Sequence, residues 1–313
     1  MRITGIIHTR NSAGTVDRAL RSLAWVSELI VVDMGSTDGT REIAVRHEAK
    51  ILDAPVVSRV DGIRNQYLQE ASSDWIFVLD SDEYLAEDAA QSVAELIAEH
   101  GATFDAFAIP RFNRIGDHTL RGSGWYPDHQ TRLFRRGSVQ WMDAIHQPPH
   151  VLSGLHRLYY LEPPNCLHIH HQNYRDLHDF IDRQVHYALS DTYSSDPTQF
   201  SFDEVMARAY RRLAERRDLA LDGELSHALA LIMAWDEIIR GLVHWEHLKR
   251  QPPLGDAVAL PIAAATLDPG RAWRKSWRVR SVARLRTLLN RYPRLSAVLR
   301  EARRRMQGPQ ERR

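Results

Sequence analysis

Apolar and polar positions follow two different periods along the chain, and the change of period divides it into regions. In the first hundred residues, short apolar runs of strand length alternate with segments whose apolar residues recur at helical spacing. The predicted strands are residues 3–8, 29–33, 49–52 and 75–80, and the predicted helices are residues 15–24, 40–47, 61–71 and 87–100. Strands separated by helices of this length predict a mostly parallel sheet with right-handed crossovers.

The pattern changes after Gly101. Residues 104–111 predict another strand, and the stretch up to Pro149, which is rich in Gly, Arg, Trp and His, predicts short strands with long loops. Helical spacing returns over residues 177–188, 202–217 and 224–248. We therefore divide the chain into an α/β domain at 1–172 with halves 1–100 and 101–172, a helical region at 173–250, a Pro-rich linker at 251–270 and a tail at 271–313.

Composition indicates a folded protein of a reducing compartment. The 313 residues are 43% hydrophobic and 26% charged, which is enough to bury a full core. The single cysteine, Cys166, excludes an intramolecular disulfide and a Cys-based zinc cluster. Residues 1–7 are too few and too soon polar for a signal peptide, and no stretch reaches the ~20 apolar residues of a membrane span. We therefore expect a cytoplasmic protein that is soluble or peripheral.

The tail differs from the rest of the chain in charge. From Arg271 onward, fifteen Arg or Lys residues stand against only Glu301 and Glu311, although the net charge of the whole chain is +1. Trp, Leu and Val residues lie between the cations at helical spacing, which is typical of an amphipathic helix on anionic lipid. Nucleic-acid binding and a solvated helix packed on the catalytic domain are the alternatives. We favour the membrane surface over nucleic acid, because no recognisable nucleic-acid module accompanies the tail.

The strongest candidate site is Asp80-Ser81-Asp82, which follows the apolar run 75–79. Ligands of open α/β sheets bind outside the carboxyl ends of the strands, and Asp oxygens suit hard cations such as Mg²⁺ or Mn²⁺. The spacing alone is also compatible with a solvated turn. Its position after a strand favours a divalent-metal and diphosphate site.

Three segments in this order resemble family 2 glycosyltransferases of the GT-A fold. They are residues 6–11 (IIHTRN), residues 30–40 (IVVDMGSTDGT) and residues 79–83 (LDSDE). Residues 124–136 (GWYPDHQTRLFRR) and 144–146 (AIH) resemble the branch that contains lipopolysaccharide-core β-glucosyltransferases. The resemblance covers about the first 175 residues. It implies the GT-A fold, with a C-terminal helical region added in this chain.

The resemblance implies a nucleotide site at the carboxyl edge of the sheet. Asp33 is expected to recognise the base or ribose, and Asp80 is expected to bind the ribose or a metal-bound water. The family commonly has an acidic residue just after the Asn of the first motif, where this chain has Ser12. From its place on a strand beside the site, Arg132 is a candidate for phosphate binding. The full set of predicted nucleotide-sugar ligands is Thr9, Asn11, Asp33, Asp38, Arg64, Asp80 and Arg132.

The predicted cofactor is a divalent metal, Mg²⁺ or Mn²⁺. Asp82 is the preferred direct ligand, with Asp80 beside it. Residues 168–171 (HIHH) are expected to form a short strand, in which successive side chains point to opposite sides of the sheet. His168 and His170 would then lie on one side and His171 on the other. The resemblance implies one histidine here as a further ligand, and we predict His168.

Transfer from a nucleotide sugar requires a base that takes the proton of the acceptor hydroxyl. The resembling branch carries an acidic residue after the histidine of its loop, but this chain has Gln147, which is not a base at neutral pH. The candidate bases are therefore His146, Asp143 and Asp128. Trp125 and Tyr126 are candidates for stacking on a sugar ring, although core packing explains them equally well.

The sequence thus predicts an inverting, metal-dependent hexosyltransferase. Its expected partners are a nucleotide-diphosphate sugar, with a UDP-sugar favoured, a glycan or lipid-linked acceptor such as lipopolysaccharide core, and the inner face of the cytoplasmic membrane. A nucleotidyltransferase is one alternative, but residues 10–14 (RNSAG) do not form the Gly-rich basic loop that it needs. The other alternative is an inactive, glycosyltransferase-like membrane scaffold, which Gln147 keeps open and the Asp80 and Asp82 pair opposes.

Overall fold

The computed structural model describes residues 2–57, 60–122, 124–142, 148–215 and 219–250. They belong to one compact unit, Met1–Pro252. The predicted Pro-rich linker and basic tail lie outside the described residues.

The first part of the chain builds four parallel strands. The elements are β1 (Ile3–Thr9), α1 (Val16–Ser22), β2 (Glu28–Asp33), α2 (Thr40–Arg46), β3 (Lys50–Asp53), α3 (Asp61–Leu68) and β4 (Trp75–Asp80). The strands lie in the order β3-β2-β1-β4. Every residue of β1 is buried, because helices or other elements cover both faces of the sheet at this point. The alternation of strands and helices predicted from the sequence is therefore confirmed.

The sheet continues with strands of mixed direction. The elements that follow are β5 (Glu83–Leu85), α4 (Ala89–His100), β6 (Ala106–Ile115), β7 (His118–Thr119), β8 (Asp128–Arg135), β9 (Val139–Gln140), β10 (His150–Val151), β11 (Leu158–Tyr160) and β12 (Ile169–Tyr174). The order after β4 is β8-β6-β12-β5, in which β8 runs antiparallel to both neighbours and β12 runs parallel to β6. The short strand β5 pairs antiparallel with β12. It was not predicted, because three residues are too few to carry a period.

Three helices follow the sheet, in the region where helices were predicted: α5 (Leu177–Ser190), α6 (Phe202–Glu215) and α7 (Leu219–Arg250). Asp176 caps α5 by accepting a hydrogen bond from the Asp179 backbone nitrogen at 2.8 Å. Gly223 interrupts α7 at a φ of 57° and a ψ of −140°, a conformation that favours glycine. None of the helices in the described part of the chain is long and apolar enough to cross a membrane.

The alternation of side chains along the strands produces two apolar clusters. Ile7 and Leu79 belong to one buried cluster, whereas Ile6 and Val78 belong to another. The helical region packs through a third cluster, which consists of Ile115, Leu120, Tyr174, Phe180, Leu229 and Met233. The carboxyl ends of β1, β2 and β4 are thus held at one edge of a rigid sheet.

A carboxylate at the start of β6 gives the first testable expectation. Asp105 accepts hydrogen bonds from Arg157 Nε and Nη2 at 3.0 and 2.9 Å and from Ser153 Oγ at 2.7 Å. The Arg157 hydrogen bond is the largest cause that lowers the pKa of Asp105 to about 2. Asp105→Asn is therefore expected to lower the free energy of unfolding by ~1–2 kcal/mol at pH 7. Urea unfolding at a series of pH values measures this loss.

The sign of the pH dependence follows from the depressed pKa in the folded state. The contribution of Asp105 is complete above the unfolded pKa of about 4 and disappears as the pH falls toward about 2. The difference between the wild type and Asp105→Asn should therefore shrink between these values. A difference as large at pH 2.5 as at pH 7 would contradict the assignment.

Candidate functional site

The register of the parallel strands brings the predicted nucleotide residues to one edge of the sheet. Thr9 at the end of β1 is paired with Asp33 at the end of β2, and His8 is paired with Asp80 at the end of β4. Thr9 and Asp33 are buried. The edge predicted from the sequence therefore exists, and the contacts of each side chain determine what it presents to a ligand.

Asn11 and Asp38 join the two loops that follow β1 and β2. The Asn11 backbone nitrogen donates to Ser36 Oγ at 2.9 Å, and its Oδ1 accepts from the Thr37 backbone nitrogen at 2.8 Å. Asp38 accepts from the backbone nitrogens of Ala13 and Thr40, each at 3.0 Å. Both side chains therefore hold the loops in shape. Their predicted contacts with the nucleotide stay predictions.

Asp33 is fully buried beneath an arginine that the sequence did not single out. Its Oδ2 accepts from Arg41 Nη1 at 2.8 Å, and the same nitrogen also donates to Asp53 at 2.6 Å. Burial raises the pKa of Asp33, but hydrogen bonds from Ser36 and Arg41 outweigh it, so the pKa lies below its ordinary value. A base or ribose that contacts this carboxylate has to move Arg41, whose side chain is 40% exposed.

Both oxygens of Asp80 accept hydrogen bonds from buried arginines. Oδ1 accepts from Arg64 on α3, and Oδ2 accepts from Arg132 on β8. Burial raises the pKa of Asp80, but Arg132 and Arg64 outweigh it and hold this pKa well below its ordinary value. Direct metal ligation by Asp80 would break these ion pairs. The predicted role of Asp80 as a metal ligand stays a prediction, which requires that Arg64 and Arg132 release the carboxylate.

Arg64 and Arg132 are also bound to other carboxylates. Arg64 Nε donates to Asp61 at 3.3 Å, and Arg132 Nη2 donates to Glu83 Oε1 at 2.9 Å. Arg64 is 2% exposed and Arg132 is 5% exposed. Each guanidinium lies inside an ion-pair network, and the predicted role of both arginines as nucleotide-sugar ligands stays a prediction.

Glu83 extends this network and was missed as a functional residue. It is fully buried, and its Oε1 accepts from Arg132 at 2.9 Å and from Arg111 Nη1 at 2.6 Å. Its Oε2 accepts from the Asp80 backbone nitrogen at 3.0 Å, which fixes the turn after β4. The one signal in the sequence was its position directly after Asp82.

Asp128 is held too firmly to suit the role of a base. Its Oδ2 accepts from Arg111 Nε and Nη2 at 2.9 and 2.7 Å and from Asn113 Nδ2 at 2.9 Å. Its Oδ1 accepts from Gln130 at 2.7 Å. Burial raises the pKa of Asp128, but Arg111 and the amides outweigh it and lower the pKa. A carboxylate with four donors and a lowered pKa is a poor proton acceptor, which counts against the predicted role of Asp128 as the base.

The histidine beside the metal motif is His171, whereas the ligand role of His168 stays a prediction. His171 Nε2 lies 3.4 Å from Asp82 Oδ2. Both ring nitrogens of His168 have other partners, since Nε2 lies 2.9 Å from Tyr126 Oη and Nδ1 lies 2.7 Å from the Cys166 carbonyl oxygen. The pairing of β12 with β5, in which His171 is opposite Glu83, places His171 toward Asp82.

Protein ligands alone do not complete a metal site here. Across the residues that the structure describes, no group of three or more His, Cys, Asp or Glu side chains is arranged to hold a metal ion. Asp82 is 28% exposed at the side chain, and its Oδ2 lies 3.4 Å from His171 Nε2. Asp82 and His171 are therefore the two protein ligands available here, and a bound phosphate group would supply further ligands to the same cation.

Trp125 and Tyr126 pack against neighbouring rings. Trp125 contacts the helical region edge-on, with its ring centroid 5.9 Å from that of Phe180. Tyr126 stacks on Phe112 at 5.0 Å, and Arg121 lies over Phe112 at 4.4 Å. The structure thus favours packing over sugar stacking for both side chains. The other two base candidates, Asp143 and His146, lie outside the described residues.

Part of the chain matches a known family. Residues 4–157, just under half of the chain, match the family described as "Glycosyl transferase family 2". The match supports the predicted family for this part of the chain, and with the observed sheet it confirms the GT-A fold. The assignment to the lipopolysaccharide-core branch stays a prediction.

Curated relatives match only part of the chain. A TPR repeat-containing protein of Synechococcus elongatus is 42% identical over 140 residues, which cover 44% of this chain and 33% of the relative. An uncharacterized glycosyltransferase of Rickettsia felis is 34% identical over 100 residues, which cover 32% of this chain and 35% of the relative. This chain thus spans about a third of the length of these relatives.

Solved structures of similar fold share little sequence with the chain. S. aureus TarS 1-349 is 16% identical with a TM-score of 0.43, and the match covers 80% of this chain and 92% of TarS. Glucosyl-3-phosphoglycerate synthase from Mycobacterium tuberculosis, solved with Mn²⁺, UDP and glucosyl-3-phosphoglycerate, is 24% identical with a TM-score of 0.30. That match covers 36% of this chain and 44% of the synthase.

Proposed function

We propose that this chain transfers a hexose from a nucleoside-diphosphate sugar, with a UDP-sugar favoured, to a cell-envelope glycan or lipid-linked acceptor such as lipopolysaccharide core. The observation that carries the proposal is the distance of 3.4 Å between Asp82 Oδ2 and His171 Nε2, with Asp82 just after β4 in the part of the chain that matches glycosyl transferase family 2. The donor sugar is expected to lie with its diphosphate at these two residues.

The residues fit a divalent cation that is shared with the donor. Mg²⁺ is usually held by one or two carboxylates together with substrate phosphates rather than by a cage of protein ligands. Asp82 supplies one carboxylate, and His171 Nε2 lies close enough to bind the same ion. When bound, such a cation neutralises the diphosphate leaving group.

The buried ion pairs explain why Asp82 is available for this task. Arg64, Arg132 and Arg111 pair with Asp80, Glu83 and Asp128, and Arg64 also pairs with the half-exposed Asp61. The network leaves the charge of Asp82 for a bound cation. We infer that this ion-pair network stabilises the conformation of the turn after β4.

The reaction that we propose is a single displacement. The acceptor hydroxyl attacks the anomeric carbon while the bond from that carbon to the phosphate oxygen breaks, and the configuration inverts. The diphosphate departs at Asp82 and His171, and the hydroxyl proton passes to a base. Because Asp128 is held by four donors, Asp143 and His146 remain the candidate bases.

The cellular setting follows from the sequence alone. Fifteen Arg or Lys residues against two Glu after position 270 favour attachment to anionic lipid. We propose that the protein acts at the inner face of the cytoplasmic membrane, where a lipid-linked acceptor is within reach.

Calorimetric titration with nucleoside diphosphates tests the donor site. UDP, GDP and the other diphosphates are titrated with and without Mn²⁺ into wild type, His171→Gln and His168→Gln. We expect Mn²⁺-dependent binding, with His171→Gln weakened at least about tenfold and His168→Gln within about threefold of wild type. The two variants remove histidines that lie three residues apart, but only His171 lies beside Asp82.

Each of the other outcomes favours a different conclusion. No binding of any diphosphate would overturn the proposal and favour the inactive scaffold. Release of pyrophosphate from a nucleoside triphosphate would favour the nucleotidyltransferase. Equal losses in both histidine variants would overturn the assignment of His171.

A further inference from the structure

Asn113 links the candidate metal residues to the buried ion-pair network. It lies on β6, is 2% exposed and is paired with His171 in the register of β6 and β12. Its amide Nδ2 lies 2.9 Å from Asp128 Oδ2 and 3.2 Å from the Trp125 carbonyl oxygen. Its Oδ1 lies 2.8 Å from His171 Nδ1. No motif in the sequence singles out this residue.

The surroundings fix the orientation of the Asn113 amide. The Trp125 carbonyl oxygen can only accept a hydrogen bond. Asp128 Oδ2 also accepts from two N–H groups of Arg111, at 2.9 and 2.7 Å, so it carries no proton. The side of the amide that faces these two acceptors must therefore be the NH₂ group. The opposite orientation would place the amide oxygen against two acceptors.

The orientation of the amide in turn fixes the hydrogen on the His171 ring. Oδ1 of Asn113 can only accept, so His171 Nδ1 must carry a hydrogen. In the neutral ring the other nitrogen, Nε2, then has a free lone pair. Nε2 is the atom that lies 3.4 Å from Asp82 Oδ2. Histidines that bind metals commonly have the second ring nitrogen fixed in this way by a hydrogen-bond acceptor.

We propose that Asn113 is a positioning residue, which holds the proton of His171 on Nδ1 and thereby directs the Nε2 lone pair to the cation that Asp82 binds. Arg111 and Asp128 set the Asn113 amide, and the amide sets the imidazole. The inference rests on the proposed function, because it presupposes a cation at Asp82.

The first test is ¹⁵N NMR of the free protein at pH 8, with labelled histidine. Long-range ¹H–¹⁵N spectra distinguish the protonated from the unprotonated ring nitrogen, and the His171 signals are identified by their loss in His171→Gln. In wild type we expect a protonated Nδ1 and an unprotonated Nε2. In Asn113→Leu, which has a similar shape but no acceptor, we expect a mixture of the two tautomers.

The second test is the affinity for Mn²⁺ in the presence of UDP. Asn113→Leu is expected to weaken binding by about 10–100-fold, as losses of such supporting hydrogen bonds do. Gln130→Leu is the matched control, because Gln130 donates to the other oxygen of Asp128 and this hydrogen bond does not involve His171. We expect this control to keep the wild-type tautomer and to bind Mn²⁺ within about threefold of wild type. Thermal unfolding confirms that each variant is folded.

The outcomes separate the inference from the proposed function. A protonated Nε2 in wild type that binds UDP and Mn²⁺ normally would overturn the inference alone. An unchanged tautomer and an unchanged Mn²⁺ affinity in Asn113→Leu would do the same. If wild type binds no UDP and Mn²⁺, the proposed function fails and the cation role of Nε2 fails with it, whatever the tautomer.

Discussion

Replacement of Asp82 by alanine is expected to lower the rate of sugar transfer about a thousandfold or more and to remove the metal dependence of UDP binding. Asp82 lies in the turn after β4, where its Oδ2 is 3.4 Å from His171 Nε2, whereas Asp80 is bound by Arg64 and Arg132. A cation at a departing diphosphate contributes several kcal/mol to the transition state, and ~4 kcal/mol corresponds to about a thousandfold in rate. Release of UDP from the donor, with and without Mn²⁺, measures the effect.

A suitable control removes the negative charge of an aspartate at the opposite end of β4. Asp74 immediately precedes β4 and is exposed. Asp74→Ala alters the net charge as Asp82→Ala does but lies away from the carboxyl edge of the sheet. We expect it to transfer sugar at nearly the wild-type rate. If Asp82→Ala keeps metal-dependent binding of UDP, the cation does not bind at this carboxylate.

Replacement of Arg132 by methionine is expected to lower the free energy of unfolding by about 3–5 kcal/mol. Arg132 is 5% exposed and donates to Asp80, whose side chain is 30% exposed, and to Glu83, which is fully buried. Burial lowers the pKa of Arg132, but Asp80 and Glu83 outweigh it and raise the pKa. In the variant, Asp80 keeps only its ion pair with Arg64, and Glu83 keeps only its ion pair with Arg111. Urea unfolding at pH 7 measures the loss.

Two comparisons make the Arg132 result specific. Arg21→Met removes an exposed ion pair with Asp17, with side-chain exposures of 74% and 40%, and is expected to cost less than about 1 kcal/mol. The loss in Arg132→Met should also shrink as the pH falls. Asp80 has a lowered pKa, so its stabilising charge is present above the unfolded pKa of about 4 and is lost in acid. A loss of less than 1 kcal/mol at pH 7 would contradict the buried network.

The spacing of apolar residues was sufficient to predict the helices and strands of the fold, because the periods of helices and strands are local properties of the sequence. β1, β2, β3 and β4 and the helices between them are found where the apolar spacing placed them. The motif after β4 also lies at the predicted edge, since the carboxyl ends of parallel strands meet there. The loop residues Asn11 and Asp38 were correctly placed at this edge, although their side chains join two loops.

The roles of charged side chains were harder to predict because they depend on partners distant in sequence. Arg111 and Asp128 are opposite each other in the antiparallel pair of β6 and β8, and this register converts a candidate base into the partner of an arginine. Arg64 and Arg132 were predicted as nucleotide-sugar ligands, because the sequence does not show that Asp80 lies between them.

The sequence by itself determined the alternation of strands and helices, the family motifs, and the alternation that places His168 and His170 on one side of a strand and His171 on the other. The tertiary structure alone decided which of these sides faces Asp82, because that depends on the register of β12 with β5 and β6. A shift of one residue in that register would exchange the two sides. The alternation of side chains along a strand determines which residues share a face. The pairing of strands that are distant in sequence determines which residues each face contacts.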